Sequence, residues 1–151
     1  MLVADILKNK EKGTAVVSIE ADAPVRVAVA EMVAQRIGAI LVRDPAVSHV
    51  AGIAGILSER DIVVGLAAHG EAVLDRTVAE LMTTEVVTCA PDDSIADVME
   101  SMTEGRFRHV PVVTGGRLTG LISIGDVVKL RLQETAHEME FMAAYVQGGI
   151  S

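Results

Sequence analysis

The 151 residues are half hydrophobic but include only two Phe, one Tyr and no Trp, so the core must be aliphatic and no aromatic platform for single-stranded nucleic acid is present. A formal net charge of −8 argues against nucleic-acid binding, because affinity for a phosphate backbone comes from clustered Lys and Arg. It leaves room for a small anion held by one local basic patch.

In chain order, AVVSI (15–19) is a short β-branched run that predicts a strand. PVRVAVAEMVAQR (24–36) predicts a helix with Pro24 in its first turn, where a missing N–H costs nothing. GAILVRD (38–44) and AGIAGIL (51–57) follow as apolar strands, and Ser58 stands where strand gives way to helix, in the position of an N-cap. The order then recurs. EVVTC (85–89) predicts a strand, DDSIADVMESMTE (92–104) a helix capped by Asp93 or Ser94, and RHVPVVTGG with RLTGLIS (108–123) a hairpin turning at Gly115-Gly116. The last helix runs through GDVVKLRLQETAHEMEFMAAYV to Gly148-Gly149, with Val128, Leu132, Thr135, Met139, Met142 and Val146 along one face. Such a stripe predicts burial, here against a second copy of the chain.

The recurrence extends to individual residues. At an offset of 70, Val16, Val17, Met32, Arg36 and Val42 meet Val86, Val87, Met102, Arg106 and Val112. The offset falls to 65 where GILSERDIV (55–63) meets GLISIGDVV (120–128), so the first copy carries about five extra residues near DPAVSHVAG (44–52). Two copies are too few for a solenoid, which leaves an α/β pair related by a pseudo-twofold. The expected organisation is residues 1–70, residues 71–131 and a helical extension, 132–151.

Apolar matches cost little, but the polar pairs Ser58/Asp61 and Ser123/Asp126 need a reason. One reason is structural: the serine caps a helix, worth about 1 kcal/mol, and the carboxylate returns a bond to the cap N–H. The other is a ligand site. A helix N-terminus suits a phosphate, and a carboxylate one turn in can accept both hydroxyls of a ribose. Gly55 and Gly120 would then let a flat base approach the strand backbone.

These features together resemble a CBS domain pair over residues 1–131: the pattern G-h-h-S-x-x-D-h twice, VVSIEADAPV and VVTCAPDDSI before the helices, and RFRHVPVV before the second hairpin. The resemblance implies two clefts, each assembled from both copies, that bind an adenosyl ligand such as AMP, ADP, ATP or NAD(H). It also implies a homodimer. The main cleft would use Ser58, Arg60 and Asp61 with Thr88, Cys89, Ala90, Arg106, Arg108, His109, Val110 and Pro111. The second would use Ser123 and Asp126 with Ser18, Ile19, Ile37, Gly38, Ala39 and Ile40. Arg106, Arg108, His109 and Arg60 give the main cleft the positive charge, so it is expected to hold phosphate more tightly.

No H-x-H or H-E-x-x-H spacing marks a metal site, and no G-x-S-x-G elbow or nucleophile–base set marks an enzyme. The single Cys89 excludes an intramolecular disulfide and reads as a buried, inert thiol. No apolar run reaches the roughly 18–20 residues of a membrane span, and the opening MLVADILKNKEKG is the reverse of a secretory signal. The expectation is a non-catalytic, cytoplasmic, nucleotide-binding regulatory module with an unidentified protein partner and no membrane partner. The alternative is an adaptor or dimerisation protein with vestigial clefts.

Overall fold

A computed structural model of the chain describes residues 1–9, 16–46 and 50–149. It is mixed α/β, and its described residues fall into two compact units. One unit comprises residues 16–87 with 113–119; the other comprises 1–9, 88–112 and 120–149.

In the first unit, β1 (Ser18–Glu20) lies parallel to β2 (Ala39–Arg43), which pairs antiparallel with β3 (Ile53–Ser58). Central β2 is buried at four of its five residues, as expected for a continuous apolar run with a strand on either side. Helix α2 (Val25–Gln35) lays Val25, Ala28 and Met32 inward at helical spacing, while α3 (Glu59–His69) follows β3 directly. A 3₁₀ segment, Gly70–Asp75, leads to the short helix α4 (Val78–Leu81), whose Val78 is fully buried. Ile19, Met32, Ile40, Val42, Leu57 and Val78 form the core.

The second copy repeats this scheme with α1 (Val3–Asn9), α5 (Ile95–Gly105), the hairpin of β4 (His109–Thr114) and β5 (Arg117–Ser123), whose residues 113–119 group with the first unit, and α6 (Ile124–Gly149). Gly115 and Gly116 both take positive φ at the hairpin turn, which only glycine accepts without strain. Val3, Ile95, Met102, Val110, Val112 and Ile122 lie in its core.

The correspondence holds bond by bond, and it reaches a segment outside the expected repeat. Val78 and Ala79 donate to the carbonyls of Ala23 and Ala21; Val3 and Ala4 donate to those of Asp93 and Pro91, 70 residues further on. The helix preceding the second copy therefore completes the first unit, and the helix preceding the first copy completes the second. Thr77 N–H to Glu80 Oε2 and Leu2 N–H to Asp5 Oδ2, each 2.8 Å, close the start of both helices in the same way.

Several expectations need correction. EVVTC forms no strand; only Cys89 bridges Val112, the register equivalent of Ile19 with Val42. Of AVVSI, Ala15 lies outside the described residues, Val16 and Val17 precede the strand, and Ser18 and Ile19 join β1. Pro24 is the N-cap of α2, one position before the first turn, with no side chain to cap with. Ser94 rather than Asp93 caps α5, accepting from Asp97 N–H at 3.1 Å, and Asp93 accepts from Ala90 N–H instead. Helix α6 continues through Gly149, and Leu132, Met139, Met142 and Val146 of its stripe are exposed in the single chain. Of the insertion near DPAVSHVAG, residues 47–49 lie outside the described residues.

Candidate functional site

Both polar pairs close as capping boxes. Asp61 N–H donates to Ser58 Oγ at 3.2 Å while Ser58 N–H donates to Asp61 Oδ2 at 2.9 Å. Ser123 and Asp126 repeat the arrangement with the same two distances. The Ser58 hydroxyl also donates to Asp61 Oδ2 at 3.1 Å. The cap role is therefore realised in both copies.

The first copy adds a group outside the expected site residues. Thr83 Oγ1 donates to Asp61 Oδ1 at 3.2 Å, carried there by a two-bond bridge between Thr83 and Ile56 in β3. A carboxylate has about four acceptor positions, so Asp61 keeps some capacity for a further donor.

The repeated glycines also have a structural cause. A Cβ on Gly55 would lie 2.7 Å from both Met82 Sδ and the Thr83 carbonyl, and one on Gly120 would lie 2.7 Å from Leu7 Cδ2. Residues 7 and 82 are equivalent in the interchanged helical segments. The space a Cβ would take at each glycine is thus filled by the chain itself.

Each Ser–Asp pair is joined to the second-strand start of its own copy. Glu59 N–H donates to the Gly38 carbonyl at 3.0 Å and Ala39 sits opposite Ser58; Ile124 N–H donates to the Arg108 carbonyl at 2.8 Å. Within one unit, then, Gly38, Ala39 and Ile40 accompany Ser58, Arg60 and Asp61. Within the other, Arg108 and His109 accompany Ser123 and Asp126. Ser18 and Ile37 are partly buried in the first unit, while Arg106 and Arg108 are exposed in the second.

The side chains of Ala39, Ile40, Val110 and Pro111 are buried, as are Ile19 and Cys89, so these positions can offer a ligand little beyond backbone. Thr88, Cys89 and Val110 do share a recess of about 180 Å³ with Asp93, Asp97, Val98 and Ser101. Its acidic wall disfavours phosphate. Partly buried Ala90 lies beside it in sequence, its N–H on Asp93. Burial, reinforced by the charge of Asp93, pushes the Cys89 thiol up to about 11, so it is neutral and unreactive near pH 7. Among the described residues no three His, Cys, Asp or Glu side chains group as a metal site, and no helix is long and apolar enough to cross a membrane.

A duplicated α/β unit with a Ser–Asp capping box opening the last helix of each copy defines the class. The chain belongs to the CBS domain family, whose model matches residues 3–68 and 78–133. It is 32% identical over 97% of its length, and 72% of the relative's, to the mitochondrial CBS domain-containing protein CBSX3 of Arabidopsis thaliana. Several other curated relatives are much longer, and the chain spans a third or less of them. Among solved structures, a CBS-domain containing protein of Agrobacterium tumefaciens is 43% identical, with a TM-score of 0.78 over 86% of this chain and 92% of that one. The CBS domain pair of protein MJ0100, solved with 5′-methylthioadenosine and S-adenosyl-L-methionine, shares the fold at 22% identity. Its TM-score is 0.73 over 89% of this chain and 98% of that one.

Proposed function

We propose that the chain is a regulatory module that binds an adenine nucleotide or NAD(H) and carries out no catalysis. The observation that carries this reading is the Ser–Asp pair, built twice with the same geometry at helix N-termini where an anion is favoured. Asp61 and Asp126 act as ribose acceptors, Ser58 and Ser123 sit beside sugar or phosphate, and Arg60, Arg106 and Arg108 supply charge to the phosphates. The adenosyl compounds bound by the MJ0100 domain pair support the ligand class. The cytoplasm is the proposed location.

A specific observation favours a second reading, a non-catalytic adaptor with vestigial clefts. The repeated Ser, Asp and Gly residues are each accounted for by caps and packing alone.

A thermal-shift panel of AMP, ADP, ATP, NAD⁺, NADH and S-adenosylmethionine separates the two. A true ligand at a hundredfold its dissociation constant adds about 2.7 kcal/mol of stability. No shift with any compound at millimolar concentration establishes the adaptor reading. For a ligand found, Asp61→Asn should weaken binding more than Asp126→Asn, and Arg108→Ala should weaken ADP binding more than adenosine binding. Equal losses in calorimetry would remove the phosphate assignment.

A further inference from the structure

The chain has three Phe and Tyr side chains, Phe107, Phe141 and Tyr145, and two of them lie in the open on one helix. Phe141 is 73% exposed and Tyr145 is 68% exposed, and Leu132, Met139, Met142 and Val146 stand open beside them on α6. Every residue of that helix from 135 to 147 is exposed. The six large side chains together expose on the order of 700 Å², more than the largest apolar patch of a typical monomer and close to what one partner buries in a stable complex. Aromatic residues and Met are the types enriched at such surfaces.

The family model ends at residue 133, so this face lies beyond what the family shares. Leu132, Thr135, Met139, Met142 and Val146 recur at spacings of three and four, the seam of a helix that packs lengthwise against another helix. Thr135 settles its hydroxyl on the Arg131 carbonyl at 3.0 Å, so it adds no polar demand to the seam. Exposed turns of helix are marginal in water, and whatever covers this face also stabilises it.

The charge beside the seam has one sign. From 132 to 151 the chain carries Glu134, Glu138 and Glu140 and no Lys or Arg. Arg131 engages Glu134, whereas Glu138 and Glu140 have no ion-pair partner among the described residues. Laid against a second α6, parallel or antiparallel, these carboxylates meet no cation and repel one another. The face therefore disfavours its own copy and is complementary to a helix with basic flanks.

We propose that residues 132–149 dock along a basic amphipathic helix of a different protein. The seam from Leu132 to Val146 lies on its apolar face, and Glu138 and Glu140 pair with its Lys or Arg side chains. This goes beyond the ligand reading and holds whether or not a nucleotide binds.

The test uses the full chain and a pair of synthetic four-heptad peptides with Leu at both seam positions, one flanked by Lys and the other by Glu. In calorimetry the Lys peptide should bind about tenfold or more tightly than the Glu peptide, and added salt should shrink the difference. Met139→Glu with Met142→Glu should weaken Lys-peptide binding roughly 30-fold or more, with circular dichroism showing the chain still folded. Glu138→Lys with Glu140→Lys should reverse the preference between the peptides, a gain that a misfolded chain cannot give. Val33→Glu, on exposed α2 surface of the first unit, should change neither affinity. Binding of neither peptide, equal binding of both, or equal loss from Val33→Glu would each overturn the proposal. So would sedimentation velocity showing an oligomer that Met139→Glu with Met142→Glu makes monomeric, because the face then belongs to a second copy.

Discussion

Residues 33 and 103 occupy the same place in the two copies, as do 66 and 131, yet the first of each pair is an exposed aliphatic and the second is polar or charged. Inside, the copies barely differ: Val3 and Val78 are both fully buried, and equivalent backbone bonds recur from Ala21/Pro91 to Gly38/Arg108. A shared backbone constrains the positions that touch it and leaves the outer helical surface open to divergence. The copies therefore share an interior and differ in what their helices present to solvent.

The largest effect should come from attacking the helix interchange. Val3→Asp places a carboxylate at a fully buried site and should cost about 3 kcal/mol or more. In hydrogen exchange, protection should fall first across 88–130, although the substitution precedes the first copy in sequence. Val78→Asp should do the reverse and expose 18–58.

A smaller effect separates the two glycines. Gly55→Ala meets the Thr83 carbonyl as well as Met82, and backbone cannot swing aside, so urea unfolding should show a loss of about 1–3 kcal/mol. Gly120→Ala meets only the flexible end of Leu7 and should cost less than about 1 kcal/mol. Equal losses would mean that the neighbouring backbone gives way as easily as a side chain.

The caps should not distinguish the copies. Ser58→Ala and Ser123→Ala each remove the same capping bond, and each should cost about 1 kcal/mol by urea midpoint. A much larger loss at Ser58 would show that its extra bond to Asp61 and the Thr83 bridge matter more than the distances suggest.

The smallest effect is a pH slope confined to the second unit. Because the Cys89 thiol is raised to about 11 in the folded chain, the unfolded chain loses this proton first as pH climbs above about 9. Stability should therefore be flat below that value and fall between about 9 and 11, and Cys89→Ala should remove the slope. Native Cys89 should also resist alkylation at pH 7.

Much of the fold was legible because period and punctuation agreed with it. The apolar run 39–43 could only be a doubly flanked strand, and Gly115-Gly116 could only be a tight turn. EVVTC failed as a strand because β propensity depends on context: of this segment only Cys89 meets β4, at Val112. The Ser–Asp positions were readable, and their closure as capping boxes was open as one of two readings. Thr83 and Met82 were not readable, since nothing local ties residue 83 to residue 61. A signal for the interchange did exist: VADIL at residues 3–7 and VAELM at 78–82 match at an offset of 75, outside the offsets of 70 and 65 that relate the rest.

That interchange also sets an order of events during synthesis. The first unit has its full complement of helices once α4 emerges, soon after its strands. Helix α1 is made before any of them but must wait for Pro91 and Asp93, its hydrogen-bonding edge, and for the hairpin beyond. At translation rates of about 5–20 residues per second the wait is several seconds or longer, and a helix of two turns cannot persist alone in water for that time. A segment made before every strand of both units is thus among the last to find its seat.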